Sequence, residues 1–142
     1  VIYVYTDGAS SPDGTGGWAW ASDEETYASG SASETTNQRM EMIAALEAMK
    51  AHSGQPLVIV SDSQYVVKCF NDKWYKKWLK NGWKNSTGAD VANREIWEQM
   101  IHEYNRGEVY FEWIKGHSGN AMNDFVDALA VSAKTERKMS TK

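Results

Sequence analysis

Apolar and polar residues alternate through "VIYVYTDG" and the alternation stops at Asp7-Gly8, which reads as a β-strand ending in a turn. Turn residues fill "SSPDGTGG", and "WAWAS" and "TYASGSAS" then give two more strands, an antiparallel meander. From Thr36 the period changes. Met42, Ala45, Leu46 and Met49 follow i, i+3, i+4, i+7 spacing and predict a helix over Thr36–His52, closed by "HSG". "PLVIVSD" is short and almost wholly apolar, as expected of a strand buried on both faces in the centre of a sheet. Helical patterning resumes over Ser63–Phe70 and continues through a Trp/Lys-rich segment, and another helix is predicted over Asp90–Asn105. "EVYFEWI" alternates Val109, Phe111 and Trp113 against Tyr110, Glu112 and Ile114, a fifth strand. A last helix spans Asn120–Lys134, and residues 135–142, "TERKMSTK", are expected to form a loose tail.

The order β-β-β-α-β-α-α-α-β-α predicts the α/β class: a five-stranded mixed sheet, three strands antiparallel and two more alternating with helices, flanked by helices. No repeat, low-complexity run or linker divides residues 1–142, so one domain is expected.

Composition adds little until charge is mapped. The chain has 142 residues, enough to bury a core, and 42% hydrophobic content. One cysteine, Cys69, excludes an intramolecular disulfide and a cysteine-based zinc site, and points to a reducing, cytoplasmic setting. No apolar run approaches membrane-span length and no signal-peptide pattern stands at the start, so no membrane association is expected. The net charge of −4 argues against a nucleic-acid partner, but its distribution reverses that argument. Lys68 to Lys84 holds six lysines and one acid, Asp72, a local charge of +5 in an acidic protein. Three of the seven tryptophans fall in the same stretch, "NDKWYKKWLKNGWK". Segregated cations among flat rings suit a polyanion, while the carboxylates elsewhere are free for another purpose.

Four of those carboxylates stand at element ends. Asp7 ends the first strand and Asp62 the fourth, each after a small hydroxyl residue, where open α/β sheets place chemistry. Glu41 lies near the start of its helix, on one face with Ala44, Ala45 and Ala48, so the helix can approach the sheet closely. Asp127 repeats the arrangement on the last helix, with Asn123 and Asp124 above and Ala130 and Val131 below. Taken singly, each acid has an ordinary reading as a turn, cap or solvated helix residue. Converging, they would raise one another's pKa values and call for hard divalent cations.

The blocks "YTDGAS", "ETTNQRMEMIAALEAM", "VSDSQYV", "KNGWK" and "IKGHSGNAMNDFVDALA" resemble, in order and spacing, type 1 ribonuclease H of the bacterial kind, over Tyr3 to about Ala133. The resemblance implies a ribonuclease H-like fold and an endonuclease that cuts the RNA strand of RNA–DNA hybrids, leaving 3′-hydroxyl and 5′-phosphate ends. It implies Mg²⁺ or Mn²⁺, two per active site, held by Asp7, Glu41, Asp62 and Asp127. His117, flanked by Gly116 and Gly119, would move protons or help release product. His52 and His102 fit no motif and are expected at the surface. Lys73, Lys76, Lys77, Lys80 and Lys84 would contact phosphates of the DNA strand, and Trp74 and Trp78 would share a face against its sugars. Trp83 would pack the base of the protrusion. Asn37 and Gln38 match minor-groove readers, Thr36 and Asn93 line a DNA-phosphate pocket, and Ser10 and Ser11 approach RNA sugars; for Asn37, helix capping is an equal reading.

Three departures bear on affinity. Glu34 stands near a position where some members carry an arginine directed at the DNA phosphate, and an acid there is expected to weaken that pocket unless Lys84 or another cation compensates. Asp13 replaces a frequent asparagine, and the spacing from Asp62 to Trp74 is one residue longer than is usual in the family. The alternative function is a hybrid- or duplex-binding module of the same fold without turnover. An integrase-like or resolvase-like nuclease is a third reading, against which the Trp/Lys segment and "TTNQRME" speak. A monomer suffices for all of them.

Overall fold

The computed structural model describes residues 1–140, arranged as β1 (Ile2–Ser10), β2 (Gly16–Ser22), β3 (Tyr27–Ala32), α1 (Asn37–Ala51), β4 (Leu57–Ser61), α2 (Gln64–Asn71), α3 (Trp74–Asn81), α4 (Arg94–Asn105), β5 (Val109–Trp113) and α5 (Ala121–Ser140). The sheet order is β3-β2-β1-β4-β5. β1 pairs antiparallel with β2 and β2 with β3, whereas β4 runs parallel to both β1 and β5. This is the predicted mixed sheet. All five residues of β4 are buried, as its unbroken apolar run requires of a strand covered on both faces.

The larger core lies under α1, α2, α3 and α4, where Val4, Ile59, Met42, Met49, Phe70, Trp97 and Met100 pack together. A smaller core on the opposite face joins Ala19 and Ala21 of β2 to Val126 and Ala130 of α5. α5 lies directly on β2, since a Cβ on Gly17 would fall 2.2 Å from the Ala130 carbonyl oxygen. Only glycine fits beneath that helix.

Several boundaries differ from expectation. β1 does not end at Asp7 but continues to Ser10, pairing Asp7 with Ala19; its pairing with β4 stops at Thr6↔Ser61. Asp7 and Asp62 therefore follow the carboxyl end of a parallel pair, on its open side. The Trp/Lys segment is a separate helix, because Asp72 caps α2 and Lys73 takes a left-handed φ of 59°. α4 starts at Arg94 instead of Asp90. Asp90 bridges back to Lys84, and the Asn85 side chain holds the intervening turn through the Thr87 and Ala89 amides. α5 runs to Ser140, so the expected loose tail is helical up to that residue; residues 141 and 142 lie outside the described part. His52 is also a correction: it is buried, its Nδ1 is 2.7 Å from the Ala48 carbonyl oxygen, and its ring meets Trp20 edge-on. The expectation of a surface residue holds for the exposed His102.

Candidate active site

Strand parity sets the site. Tyr5 and Ala9 pack on the α5 side of the sheet, and Asp7 shares their parity. Gly8 faces the other way, toward α1, and a Cβ there would lie 2.5 Å from the Glu41 backbone nitrogen. The missing side chain lets α1 press against β1, so Glu41 reaches past the strand to Asp7. Its approach is fixed by the Gly8 amide, which donates to Glu41 Oε1 at 2.9 Å and to Asp7 Oδ1 at 2.8 Å. The alanine face that the sequence shows is the contact surface: Ala44, Ala45 and Ala48 are fully buried.

Asp7, Glu41 and Asp62 each offer a carboxylate oxygen, and these oxygens all lie within 4.8 Å of one another. Asp7 and Glu41 are buried, at 4% and 5% exposure, and Asp62 is half-buried. Burial pushes the Asp7 carboxyl up to about 6; a hydrogen bond with Glu41 opposes the rise, and the Asp62 charge adds to it. Glu41 lies well above the usual carboxylate range, through burial first and then the neighbouring Asp7 and Asp62. Asp62 is raised by burial and by the charge of Asp127, while His117 pulls the other way.

Asp127, half-buried on α5, is outside the tight group of three but near enough to raise the carboxyls of Asp7 and Asp62. Of the small residues expected below it, Ala130 is buried and Val131 is 40% exposed. Exposed His117 has a left-handed φ of 56° on the loop after β5. Gly116 beside it passes so close to Asp62 that a Cβ would lie 2.9 Å from Oδ2. The donor set suits hard cations, because it is all oxygen and strongly anionic. Glu41 Oε2 is buried and has no hydrogen-bond partner among the described residues, an orphan acceptor that a divalent ion would satisfy.

Two cavities share Gln38 and Ala92 in their linings, and neither is lined by the carboxylates. One, of about 700 Å³, is lined by Trp74, Lys77, Trp78, Lys84 and Tyr65 among others. The other, of about 710 Å³, is lined by Glu34, Thr36, Gln38, Arg39 and Asn93 among others. Lys73, Lys76 and Lys80 are exposed on and beside α3. Trp78 does not present the open face that the sequence suggests: it is 7% exposed and packs on Trp83 and Trp97, whereas Trp74 is half-buried. Trp83, as expected, is buried at the base of the protrusion.

The capping role goes to Thr36, whose Oγ1 accepts from the Arg39 amide at 3.1 Å, and Asn37 is left exposed beside it. Lys84 lies in the other cavity from Glu34 and is ion-paired with Asp90, so the cation sharing a cavity with Glu34 is Arg39. Arg39 is a residue that sequence reasoning misses. Its Nη1 donates to Asn93 Oδ1 at 2.9 Å and to Glu95 Oε1 at 2.6 Å, tying α1 to the head of α4. Its place inside "TTNQRME" is the available signal. Ser10 pairs with Gly16 at the end of β1, and Ser11 begins the following turn.

Clustered acids at the open end of a mixed sheet, with a basic helix alongside, define a carboxylate-centred nuclease of the type 1 ribonuclease H fold. The RNase H family model matches residues 1–135. Ribonuclease H from Syntrophomonas wolfei is 42% identical over 139 residues, covering 93% of this chain and 94% of that protein. Ribonuclease H from Lachnoclostridium phytofermentans is 38% identical over 93% of this chain and 90% of its own. Among solved structures, the crystal structure of LC9-RNase H1, described as a type 1 RNase H with the type 2 active-site motif, superposes with a TM-score of 0.80 at 27% identity. It covers 95% of this chain and 72% of its own. The chain belongs to the ribonuclease H family and is a nuclease of that family.

Proposed function

We propose that the protein cleaves the RNA strand of RNA–DNA hybrids by divalent-metal-dependent hydrolysis, leaving 3′-hydroxyl and 5′-phosphate ends. The observation that carries this reading is the cluster of Asp7, Glu41 and Asp62 with an orphaned acceptor on Glu41. Asp7, Glu41, Asp62 and Asp127 would hold Mg²⁺ or Mn²⁺, as a pair. When bound, such ions polarise a scissile phosphate and lower the pKa of an attacking water.

The chain's own residues do the rest. The Gly8 amide orients Asp7 and Glu41. His117 stands on the Asp62 side, exposed, where an imidazole can carry a proton to or from solvent. The lysines of α3 grip the DNA backbone, and Trp74 offers its ring to a sugar or base at the mouth of the cavity. Thr36 and Asn93 cradle a DNA phosphate with Arg39 beneath. Asn37 and Gln38 would read the minor groove, and Ser10 and Ser11 would approach the RNA sugars, whose 2′-hydroxyl distinguishes RNA from DNA. All four acids come from one chain, so a monomer suffices, and the single cysteine suits a reducing, cytoplasmic setting.

A turnover-free binding module is the weaker reading, since clustered acids that bind no metal destabilise a fold. Hybrid, double-stranded RNA and double-stranded DNA, each with Mg²⁺, with Mn²⁺ and with chelator, separate the readings. Cutting of the hybrid's RNA strand alone, and only with metal, is expected. Tight hybrid binding without cleavage under any ion would establish the binding module instead.

A further inference from the structure

The last turns of α5 reach across to the loops that carry several candidate substrate residues. Lys138 Nζ lies 3.6 Å from Asp13 Oδ2 in the β1–β2 loop, and an Arg137 guanidinium nitrogen donates to Ser33 Oγ in the β3–α1 loop at 3.4 Å. The two loops are already joined to each other, because the Thr35 amide donates to the Gly14 carbonyl at 2.8 Å. Asp13 is not aimed outward as a lone anion. Its Oδ1 accepts from the Thr15 amide at 2.9 Å, closing a turn in which Gly14 bonds back to Ser11 and Ser11 to Thr15. Its carboxyl is held below the usual range by that turn first, and by Lys138 as well.

We infer that the C-terminal turns of α5 are a positioning element for hybrid binding: Arg137 and Lys138 hold the 11–15 and 33–36 loops in register, and Lys138 offsets the Asp13 charge beside the path of the nucleic acid. The inference rests on the hybrid-binding reading above and adds to it a stretch outside the carboxylate centre. Exposed ion pairs contribute little to stability. Lys138–Asp13 is half-exposed on both sides, so its worth is local. An uncompensated carboxylate next to a phosphate chain repels it. A loop released from α5 must also be ordered again on binding, which costs affinity instead of turnover. The seat of the helix supports the geometry: a Cβ on Gly17 would fall 2.2 Å from the Ala130 carbonyl oxygen and 2.7 Å from the Lys134 amide nitrogen, so α5 lies directly on β2 as far as residue 134.

The test measures binding of a fluorescein-labelled RNA–DNA hybrid in chelator, where no cleavage occurs, together with KM and kcat in Mg²⁺. Lys138→Glu is expected to weaken hybrid affinity and raise KM by about five- to tenfold, a change of about 1 kcal/mol, with kcat within about twofold. Asp13→Asn keeps the acceptor for Thr15, and added to Lys138→Glu it should restore part of the missing affinity, the part lost to the uncompensated Asp13 charge. A chain ending at Lys134 should show faster hydrogen exchange at the Thr35 amide while Ile59 stays protected. If it fails to fold, the point variants decide. Unchanged affinity in Lys138→Glu, or a double variant no better than the single, would overturn the inference. A wild-type protein that binds no hybrid at all would instead sink the reading beneath it.

Discussion

Gly8 and Glu41 meet with no room between them: the Gly8 amide donates to Glu41 Oε1 at 2.9 Å, and a Cβ on Gly8 would lie 2.5 Å from the Glu41 backbone nitrogen. A residue with no chemistry of its own thus sets the distance between a strand-borne and a helix-borne carboxylate. Gly8→Ala must push α1 off β1, an overpacking cost of about 1–3 kcal/mol. The expected variant folds but melts lower and loses at least about tenfold in kcat, since misplacing reacting groups by an ångström can cost more than that. Thermal melting and hybrid cleavage at saturating Mg²⁺ check both halves. Full activity in Gly8→Ala would show that the Asp7–Glu41 spacing does not matter.

The raised carboxyls predict how metal-free stability depends on pH. Asp7 titrates near 6 in the folded chain and near 3.8 when unfolded, so between these values the folded state binds the extra proton. Stability from this group is therefore greatest below about pH 4, falls as pH rises to about 6, and is level above. Asp7→Asn removes the buried charge. In chelator at pH 7 it should melt several degrees above wild type, and the gap should close as the pH drops toward 4. Divalent ion at pH 7 should raise the wild-type melting temperature more than that of the variant. A variant less stable than wild type in chelator at pH 7 would contradict the assignment of repulsion and burial at this site.

Much of this architecture is legible in the chain itself. β4 announces its central place by four unbroken apolar positions, Leu57 to Val60, and Glu41 is recognisable because three alanines share its helix face. What sequence spacing misses are relationships between distant segments. His52 follows a helix end and reads as surface, but Trp20, thirty-two positions earlier, covers it. Trp74 and Trp78 are one turn apart in sequence, but Trp97 of α4 draws Trp78 inward. The sequence pattern ends α5 early because "TERKMS" is polar, and polar residues can extend a helix whose inner side rests on a sheet or pairs with loops, as Arg137 and Lys138 do. Asp7 reads as the last residue of its strand because a Gly follows it; the strand continues because β2 still pairs with it.

The protrusion should act on binding alone. Lys76, Lys77 and Lys80 lie on α3, exposed, and in the proposed complex each faces the DNA backbone. Changing all three to alanine should raise KM for the hybrid and reduce the slope of log affinity against log salt by about two to three, near one for each phosphate no longer neutralised. Turnover at saturation should change little, because these lysines hold ground and transition states alike. A collapse of kcat with KM unmoved would mean that the lysines serve the chemistry.

The most direct test follows RNA-strand cleavage of a hybrid across a Mg²⁺ titration, in wild type and in Asp7→Asn. Wild type should not cut in chelator, and its rate should rise saturably as Mg²⁺ is added. The variant should stay at least about a thousandfold slower at every concentration, the scale of loss for a group central to transition-state charge. Equal cutting by the two proteins, or wild-type cutting at full rate in chelator, would contradict the claim that these acids act through divalent ions.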